Sequence, residues 1–412
     1  MGSWDCYCAL CCGPLGKSSV KVGDGTKKAL KRRARIVAEG VRERKGIEPQ
    51  NIKIDKDAEE ASDNDDEKGE QDRSATKSND NTTHELHHGN PKYLYPYNGP
   101  PVLDTMYKIY EKESYDPRLL HSEDVEWTDR CRTLGYNPNT GKAFISGLAR
   151  YAIYGDVEIH EPGNDPNDPQ LREYDVYQES TGELDDPTFP FHEACYRLLV
   201  KRLGYVDSAE IDKHLLFNVM LEKNNGYSCL MVDYGDAESL GKQWWYCQPG
   251  EEYFVCDPGQ DAELPRRFPN SVYSNSPRPN ISHKVHHDPF NVLPFDILHI
   301  IIHYLSVKDT LSLIQASYHV NVTTADSQFW ASMIRKHLVP FFWETLPLID
   351  QSDLLPNLDY KTLFLWLDKV TTPGYGIAGP FMHVANRRRI WGVCEQLAPA
   401  YKRGIETTLQ KE

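Results

Sequence analysis

The stretch Val292-Leu293-Pro294-Phe295-Asp296-Ile297-Leu298-His299-Ile300-Ile301-Ile302-His303-Tyr304-Leu305 decides how the C-terminal third of the chain folds. Pro294 suits the first turn of a helix, where its missing N–H would have no partner. Ile297, Leu298, Ile300, Ile301, Ile302, Tyr304 and Leu305 then continue the helix, and on a helical wheel only Asp296, His299 and His303 share a polar stripe. A helix apolar most of the way round must be covered on more than one side. It is either the centre of a core or a layer between its own domain and a partner.

Two further helices follow at once. Ser306 and Asp309 form a capping-box pattern, with Asp in place of the longer Glu, ahead of Leu311, Leu313 and Ile314, and the helix runs to about Ser317. Thr324 or Asp326 starts the third, in which Phe329, Trp330, Met333, Ile334 and Leu338 line one face. Leu293-Pro294, Asp296-Ile297-Leu298, Tyr304-Leu305, Leu311, Leu313, Ala316-Ser317 and Phe329-Trp330 resemble the F-box family in order and spacing. The departures are Asp296 where Glu is usual and Tyr318-His319-Val320 where basic residues and an aromatic are common. The resemblance implies a three-helix unit at residues 290–338 that docks on the Skp-type adaptor of an SCF-type ubiquitin ligase. It implies adaptor contacts from Leu293, Pro294, Ile297, Leu298, Ile301, Leu305, Leu311 and Trp330. The rest of the chain would hold an unknown protein substrate.

Upstream, residues 92–264 are dense in aromatics and punctuated by Gly and Pro, which predicts an α+β module. Strands are expected at Asp156-Val157-Glu158-Ile159, Asn218-Val219-Met220-Leu221, Gln243-Trp244-Trp245-Tyr246 and Tyr253-Phe254-Val255, with a helix over 191–203. Residues 265–289, rich in Pro, Ser, Asn, His and Arg, read as a loop, and 339–412 as a helical C-terminal region. There Tyr360, Leu363, Trp366, Leu367 and Val370 share one helix, and a second is expected to begin at Arg387-Arg388-Arg389 and bury Ile390, Trp391 and Cys394. Arginines at a helix N-terminus oppose the macrodipole. They serve a partner's carboxylate or phosphate, or they pair internally.

The N-terminal 16 residues carry Cys8-x-x-Cys11 followed by Cys12-Gly13, a turn that lets two thiolates converge on one tetrahedral Zn²⁺. Phe191-His192-x-x-Cys195 offers a distant second half. Cys8, Cys11, His192 and Cys195 are therefore either one zinc site packing the N-terminus on the middle module or four unmetallated ligand groups. His299 and His303 stand four apart but lack a third ligand, and read as an exposed stripe. The segments Tyr7-Cys8-Ala9-Leu10-Cys11-Cys12-Gly13-Pro14, 191–195 and Asn386-Arg387-Arg388-Arg389-Ile390-Trp391 are together similar to a group of filamentous-fungal F-box proteins. A Gly often stands in that group where Cys12 is, which makes Cys12 the least expected ligand.

Residues 17–45 hold eleven basic side chains against three acidic, and residues 51–90 twelve acidic against five basic. With almost no large apolar residues after Ile54, the acidic tract cannot offset the entropy of ordering. Residues 17–91 are expected to be a disordered linker, basic then acidic. A formal net charge of −15 argues against whole-molecule binding to nucleic acid or anionic lipid. No apolar run is long enough for a membrane span, and Met1-Gly2-Ser3 departs from the myristoylation pattern at Cys6. The cysteine spacing is not a secreted disulfide framework, so a reducing compartment, cytoplasmic or nuclear, is expected. No G-x-x-x-x-G-K-[ST], nucleophile elbow or H-E-x-x-H occurs, so no reaction type is supported and the chain is expected to be no enzyme. The rival expectation is a zinc-stabilised nuclear protein that binds nucleic acid through its basic run or acts as a scaffold independently of a ligase.

Overall fold

The computed structural model describes residues 6–17, 27–46, 119–120, 122–152, 155–178, 184, 186–226, 228–235, 249–265, 268–273, 284–350 and 358–410. The acidic tract at 51–90 and the strand expected at 243–246 lie outside them. Residues 39–113 form a unit of their own, whose described part is the end of the first helix and the turn after it. All other described elements belong to the unit Met1–Ala38 with Ser114–Glu412.

The chain is mixed α+β. Helix α1 (Lys27–Arg44) precedes six strands: β1 (Cys131–Asn137), β2 (Lys142–Ile145), β3 (Leu148–Tyr151), β4 (Asp156–Glu161), β5 (Glu173–Asp175) and β6 (Phe189–His192). Helices α2 (Glu193–Leu203) and α3 (Lys213–Glu222) follow directly. Farther on come α4 (Phe295–Tyr304), α5 (Val307–Ala316), α6 (Tyr318–Thr323), α7 (Ser327–His337), α8 (Leu346–Asp350), α9 (Tyr360–Thr371) and α10 (Met382–Leu409).

The sheet is antiparallel, in the order β2-β1-β3-β4-β5, with β6 also on β1. Its register pairs Leu134 with Ile145, Cys131 with His192 and Val157 with Tyr174. Leu134, Phe144, Ala149, Val157 and Phe189 are fully buried and share a core with α2, α3 and part of α10. Helix α2 stops at Gly204, whose φ of 95° is the left-handed cap that glycine tolerates best. Helix α3 starts at Asp212, whose carboxylate accepts the Leu215 N–H, and the Asp212 N–H reaches the Tyr401 hydroxyl of α10 at 2.9 Å. A Cβ at Gly404 would collide with the Leu215 side chain, so glycine sets the close approach of α10 to α3.

A second core joins α4, α5, α6, α7 and α9 with Phe381, Val384 and Trp391. The Ser306 hydroxyl accepts the Asp309 N–H at 3.1 Å and donates to the Asp309 carboxylate at 2.7 Å, the capping box read from sequence. Four helices occupy 295–337 rather than three, because Ser317 ends α5 and caps α6 by accepting the Val320 N–H. Helix α10 contributes to both cores, Ile390, Val393, Cys394, Leu397 and Tyr401 to the first and Val384 and Trp391 to the second.

Several expectations are corrected. Residues 218–221 belong to α3 and not to a strand, since Leu216, Phe217, Val219 and Met220 recur at helical spacing and are buried together. Glu252–Val255 is a 3₁₀ turn. Helix α2 starts at Glu193, residues 191–192 being the end of β6. The basic stretch of the expected linker is helical in α1, and the Arg33 guanidinium forms a buried two-pronged ion pair with Glu252, at 2.5 and 2.8 Å. The three arginines sit a turn and more inside α10, where the macrodipole no longer opposes them.

Candidate metal centre

Strand β6 ends at His192, whose backbone is extended, and α2 begins at the next residue, so His192 and Cys195 project from one strand-to-helix corner. The N-terminal segment folds over that corner as a tight loop. Cys8 N–H donates to the Gly13 carbonyl at 3.0 Å, and the Cys8 carbonyl accepts from Cys11 N–H at 3.3 Å and Cys12 N–H at 2.7 Å. The loop is pinned from outside by Ala9 N–H on the Pro190 carbonyl at 2.7 Å, by the Tyr177 hydroxyl on the Tyr7 carbonyl at 2.6 Å and by the Tyr234 hydroxyl on the Ala9 carbonyl at 2.9 Å.

The result brings Cys8, Cys11, His192 and Cys195 together, all fully buried, with ligand atoms within 4.8 Å of one another. This cluster can hold a metal ion. The His192 Nδ1 lies 3.4 Å from Cys11 Sγ and 3.8 Å from Cys195 Sγ. Its Nε2 is 3.0 Å from the Pro14 carbonyl, which only accepts, so Nε2 carries the proton and Nδ1 faces the sulfurs as a donor lone pair. Backbone N–H groups of His192 and Gly13 point at Cys8 Sγ and Cys11 Sγ, at 3.4 and 3.3 Å, the usual support for thiolate. Gly13 eases the close approach there, since a Cβ would stand 3.1 Å from Cys11 Sγ.

Electrostatics split the four ligands. Burial works to raise the Cys8 thiol, but hydrogen bonds from Cys11 and Cys195 and the charge of His192 outweigh it and hold Cys8 well below its ordinary value. Burial, then the neighbouring Cys11 and Cys8, pushes Cys195 well up. Burial works to lower His192, yet the interaction with Cys8 and then with Cys11 raises it well above the usual imidazole range. Three sulfurs and one imidazole nitrogen converging in a buried site, with one thiol held low by its neighbours, suit a bound cation.

The surroundings exclude water. The Trp127 ring meets the His192 ring edge-on at 4.6 Å, and its indole N–H donates to the Val255 carbonyl at 2.8 Å. Arg389 donates to the carbonyls of Cys11 and Tyr234 at 2.9 and 3.1 Å while lying 4.2 Å over the Phe254 ring. Asn386 holds the same guanidinium through its side-chain oxygen and reaches the Cys256 carbonyl at 2.8 Å. Sequence reading offered Arg387, Arg388 and Arg389 two roles, and the internal one is seen. Arg387 pairs with Glu344 at 2.9 Å and Arg388 with Asp368 at 2.8 Å. The part played by Trp127 and Arg389 at the metal cluster was missed. The available signal is three consecutive arginines beside the apolar Ile390, Trp391, Val393 and Cys394, which demand internal acceptors once that face is buried.

The remaining candidate residues lie elsewhere. His299 and His303 are not part of a metal cluster among the described residues, and His299 instead packs between the Phe295 and Phe329 rings. Of the residues expected at an adaptor surface, Pro294 and Ile297 are exposed and Leu293, Ile301, Leu305 and Leu311 are half-buried. Leu298 and Trp330 sit in the chain's own core, since each is 1% exposed and Trp330 donates its indole N–H to the Thr324 carbonyl at 2.8 Å. No helix among the described residues is long and apolar enough to cross a membrane. Comparison with protein-family models, with curated proteins and with solved structures finds no match to this chain.

Proposed function

We propose that the chain is a non-catalytic F-box substrate receptor of an SCF-type ubiquitin ligase, docking on a Skp-type adaptor through α4 to α7. One observation carries this reading. The first helix of the box turns apolar side chains to solvent, with Phe295 48%, Ile297 43%, Ile300 53% and Tyr304 84% exposed, and Val292 just before it is 82% exposed. Only Leu298 and Ile302 of α4 are buried in its own core. Ile297, Ile300 and Tyr304 fall within about 60° of one another on the helix, an exposed apolar strip of the kind that marks a partner surface, and the order of residues around it resembles the F-box pattern from Leu293 to Trp330. The helix expected to be covered on two sides has one side inside the chain and another exposed, which supports a docked partner there.

In this reading Cys8, Cys11, His192 and Cys195 hold one Zn²⁺. A tetrahedral zinc with Zn–S of about 2.3 Å and Zn–N of about 2.0 Å needs S···N separations of roughly 3.5 Å. The observed 3.4 and 3.8 Å fit that requirement. Four protein ligands close the coordination shell, so the ion's chemistry is structural, tying the N-terminal segment to the sheet. The chain itself makes and breaks no bonds. It raises the effective concentration of a substrate lysine near the ubiquitin-charged enzyme. Thiolate ligands suit the reducing cytoplasm or nucleus.

The test is binding of the purified chain to the Skp-type adaptor, comparing wild type with an Ile300→Asp, Tyr304→Asp double variant. Full burial of such a side chain is worth about 1.5–3 kcal/mol. With half of Ile300 and most of Tyr304 exposed, their loss is worth about 3 kcal/mol, or roughly 100-fold in Kd. Both side chains point outward, so circular dichroism should show an unchanged fold. A folded wild type that does not bind, or a double variant that binds equally well, overturns the reading.

A further inference from the structure

Helix α9 ends in two threonines with different surroundings. Thr371 is 0% exposed, and its hydroxyl donates to the Leu367 carbonyl at 2.7 Å. Thr372, the next residue, is exposed and ends the helix with an extended backbone, φ −68° and ψ 118°. Pro373 follows, and a proline keeps the residue before it out of the helical region. Among the serines and threonines of the chain only Ser276 and Thr372 precede a proline, and Ser276 lies outside the described residues. The segment after Pro373 stands clear of the rest, since a Cβ added at Gly374 or Gly379 would meet nothing within 4 Å. An exposed hydroxyl on extended chain, at the mouth of an open loop, is within reach of a modifying enzyme.

The Thr372 hydroxyl also has a cation beside it. Arg388 Nη1 donates to Thr372 Oγ1 at 3.1 Å, and Arg388 Nη2 donates to the Asp368 carboxylate at 2.8 Å. Nη1 reaches the Asp368 carbonyl and Thr371 Oγ1 as well, at 3.2 and 3.3 Å, and the Thr372 hydroxyl donates to the same Asp368 carbonyl at 2.6 Å. Of the three consecutive arginines Arg388 lies nearest the surface, with 24% of its side chain exposed against 0% for Arg387. Lys369 adds a second cation in the last turn of α9.

We propose that Thr372 is a phosphorylation site for a proline-directed protein kinase, with Arg388 holding the phosphate. Oγ1 attacks the γ-phosphorus of ATP, the bond from that phosphorus to the bridging oxygen breaks, ADP leaves, and the hydroxyl proton passes to the kinase's carboxylate base. The product carries a charge of about −1.5 to −2 and three acceptor oxygens. Two effects oppose it. Oγ1 no longer donates to the Asp368 carbonyl, and a negative group stands at the negative end of α9 near the Asp368 carboxylate. Arg388 outweighs them, because its planar fork suits a phosphate and a group of nearly two charges competes for it better than a single carboxylate. Arg388 turns from Asp368 to the phosphate, and the loop between α9 and α10 is then tied to α10 by a charged bond in place of a neutral one. This holds whether or not the chain serves a ligase.

The experiment incubates the full chain, carrying Ser276→Ala so that one Ser/Thr-Pro step remains, with ATP and a proline-directed kinase. Mass spectrometry maps the phosphate, and phosphorus NMR follows its second ionisation against pH beside a phosphorylated peptide of residues 366–378, which lacks Arg388. The expected result is phosphate on Thr372, with an ionisation about three- to tenfold stronger in the folded chain than in the peptide, whose ordinary pKa is about 6. Arg388→Gln, with its fold checked by circular dichroism, should still accept phosphate and bring the ionisation back to the peptide's value. The comparison of folded chain with peptide decides the matter even where that variant fails to fold. Thr372 left unlabelled under conditions that label the peptide would overturn the proposal. So would equal ionisation in chain and peptide, or a strengthening that survives in folded Arg388→Gln.

Discussion

Replacing Arg33 by Ala should be among the most damaging single changes outside the cores. Glu252 is 0% exposed at its side chain and Arg33 is 9% exposed, and the guanidinium meets the carboxylate through two contacts of 2.5 and 2.8 Å. The same carboxylate accepts the Gly250 N–H at 2.8 Å, and Arg33 also reaches the Ile377 carbonyl. Removing the cation leaves a charge inside the protein with a backbone donor in place of its counter-ion, which costs about 3–5 kcal/mol. For a unit of this size that is a fall in Tm of roughly 6–15 °C. Adding Glu252→Gln to Arg33→Ala removes the stranded charge and should recover at least half the loss. Urea unfolding followed by tryptophan fluorescence gives both legs of the cycle. A loss under about 1 kcal/mol for Arg33→Ala, or no recovery in the double variant, would refute the docking of α1 through this pair.

Metal titrated into the chelator-stripped protein should release protons, because burial keeps Cys195 in its thiol form and ligation needs thiolate; a pH indicator in weak buffer reports it, and affinity should fall as pH drops. Arg389→Met, which removes the bonds to the Cys11 and Tyr234 carbonyls, should weaken metal binding by about 10–100-fold in a competition with a chromophoric chelator. Asp288 accepts from Phe290 N–H, His319 N–H and the Ser317 hydroxyl, so Asp288→Ala should cost about 1–2 kcal/mol in the stability of the α4–α7 unit. The His319 N–H holds its carboxylate below the ordinary value, so this stabilisation is complete above pH 4 and lost as pH falls through the depressed folded value. Asp156 behaves oppositely. Burial and the adjacent Asp175 push it up to about 7, so the folded state holds an extra proton and stability rises as pH falls from 8 towards 5. Asp156→Asn should raise Tm at pH 8 and change it little at pH 5.

Where periodicity was long, the sequence was readable. The runs giving α4, α5, α7 and α9 each repeat apolar residues over three turns or have an unambiguous cap, and they appear where expected. The metal cluster was legible for another reason, as two half-sites with ligand spacing needed only the fold to bring them together. Short apolar runs failed. Asn218 to Leu221 fits a strand when read alone, and only the wider window from the Asp212 cap, with Leu215, Leu216, Val219 and Met220, reveals a helix. Reading the arginines as a boundary misplaces the start of α10, because their acceptors Glu344, Asp368 and the Cys11 carbonyl come from other parts of the chain. Arg33 was hidden among like charges, with no local sign of a glutamate more than 200 residues away.

Helix α10 is 28 residues long, about 42 Å from end to end. Adjacent residues on it, Ile390 and Trp391, belong to different cores, so it acts as a common girder and not as a hinge. In the proposed receptor reading, a cargo held by the sheet would keep one bearing relative to a partner seated on α4. The choice of which lysine is modified would then be a matter of fixed reach, set by where the cargo presents its side chains and not by the wandering of a tether.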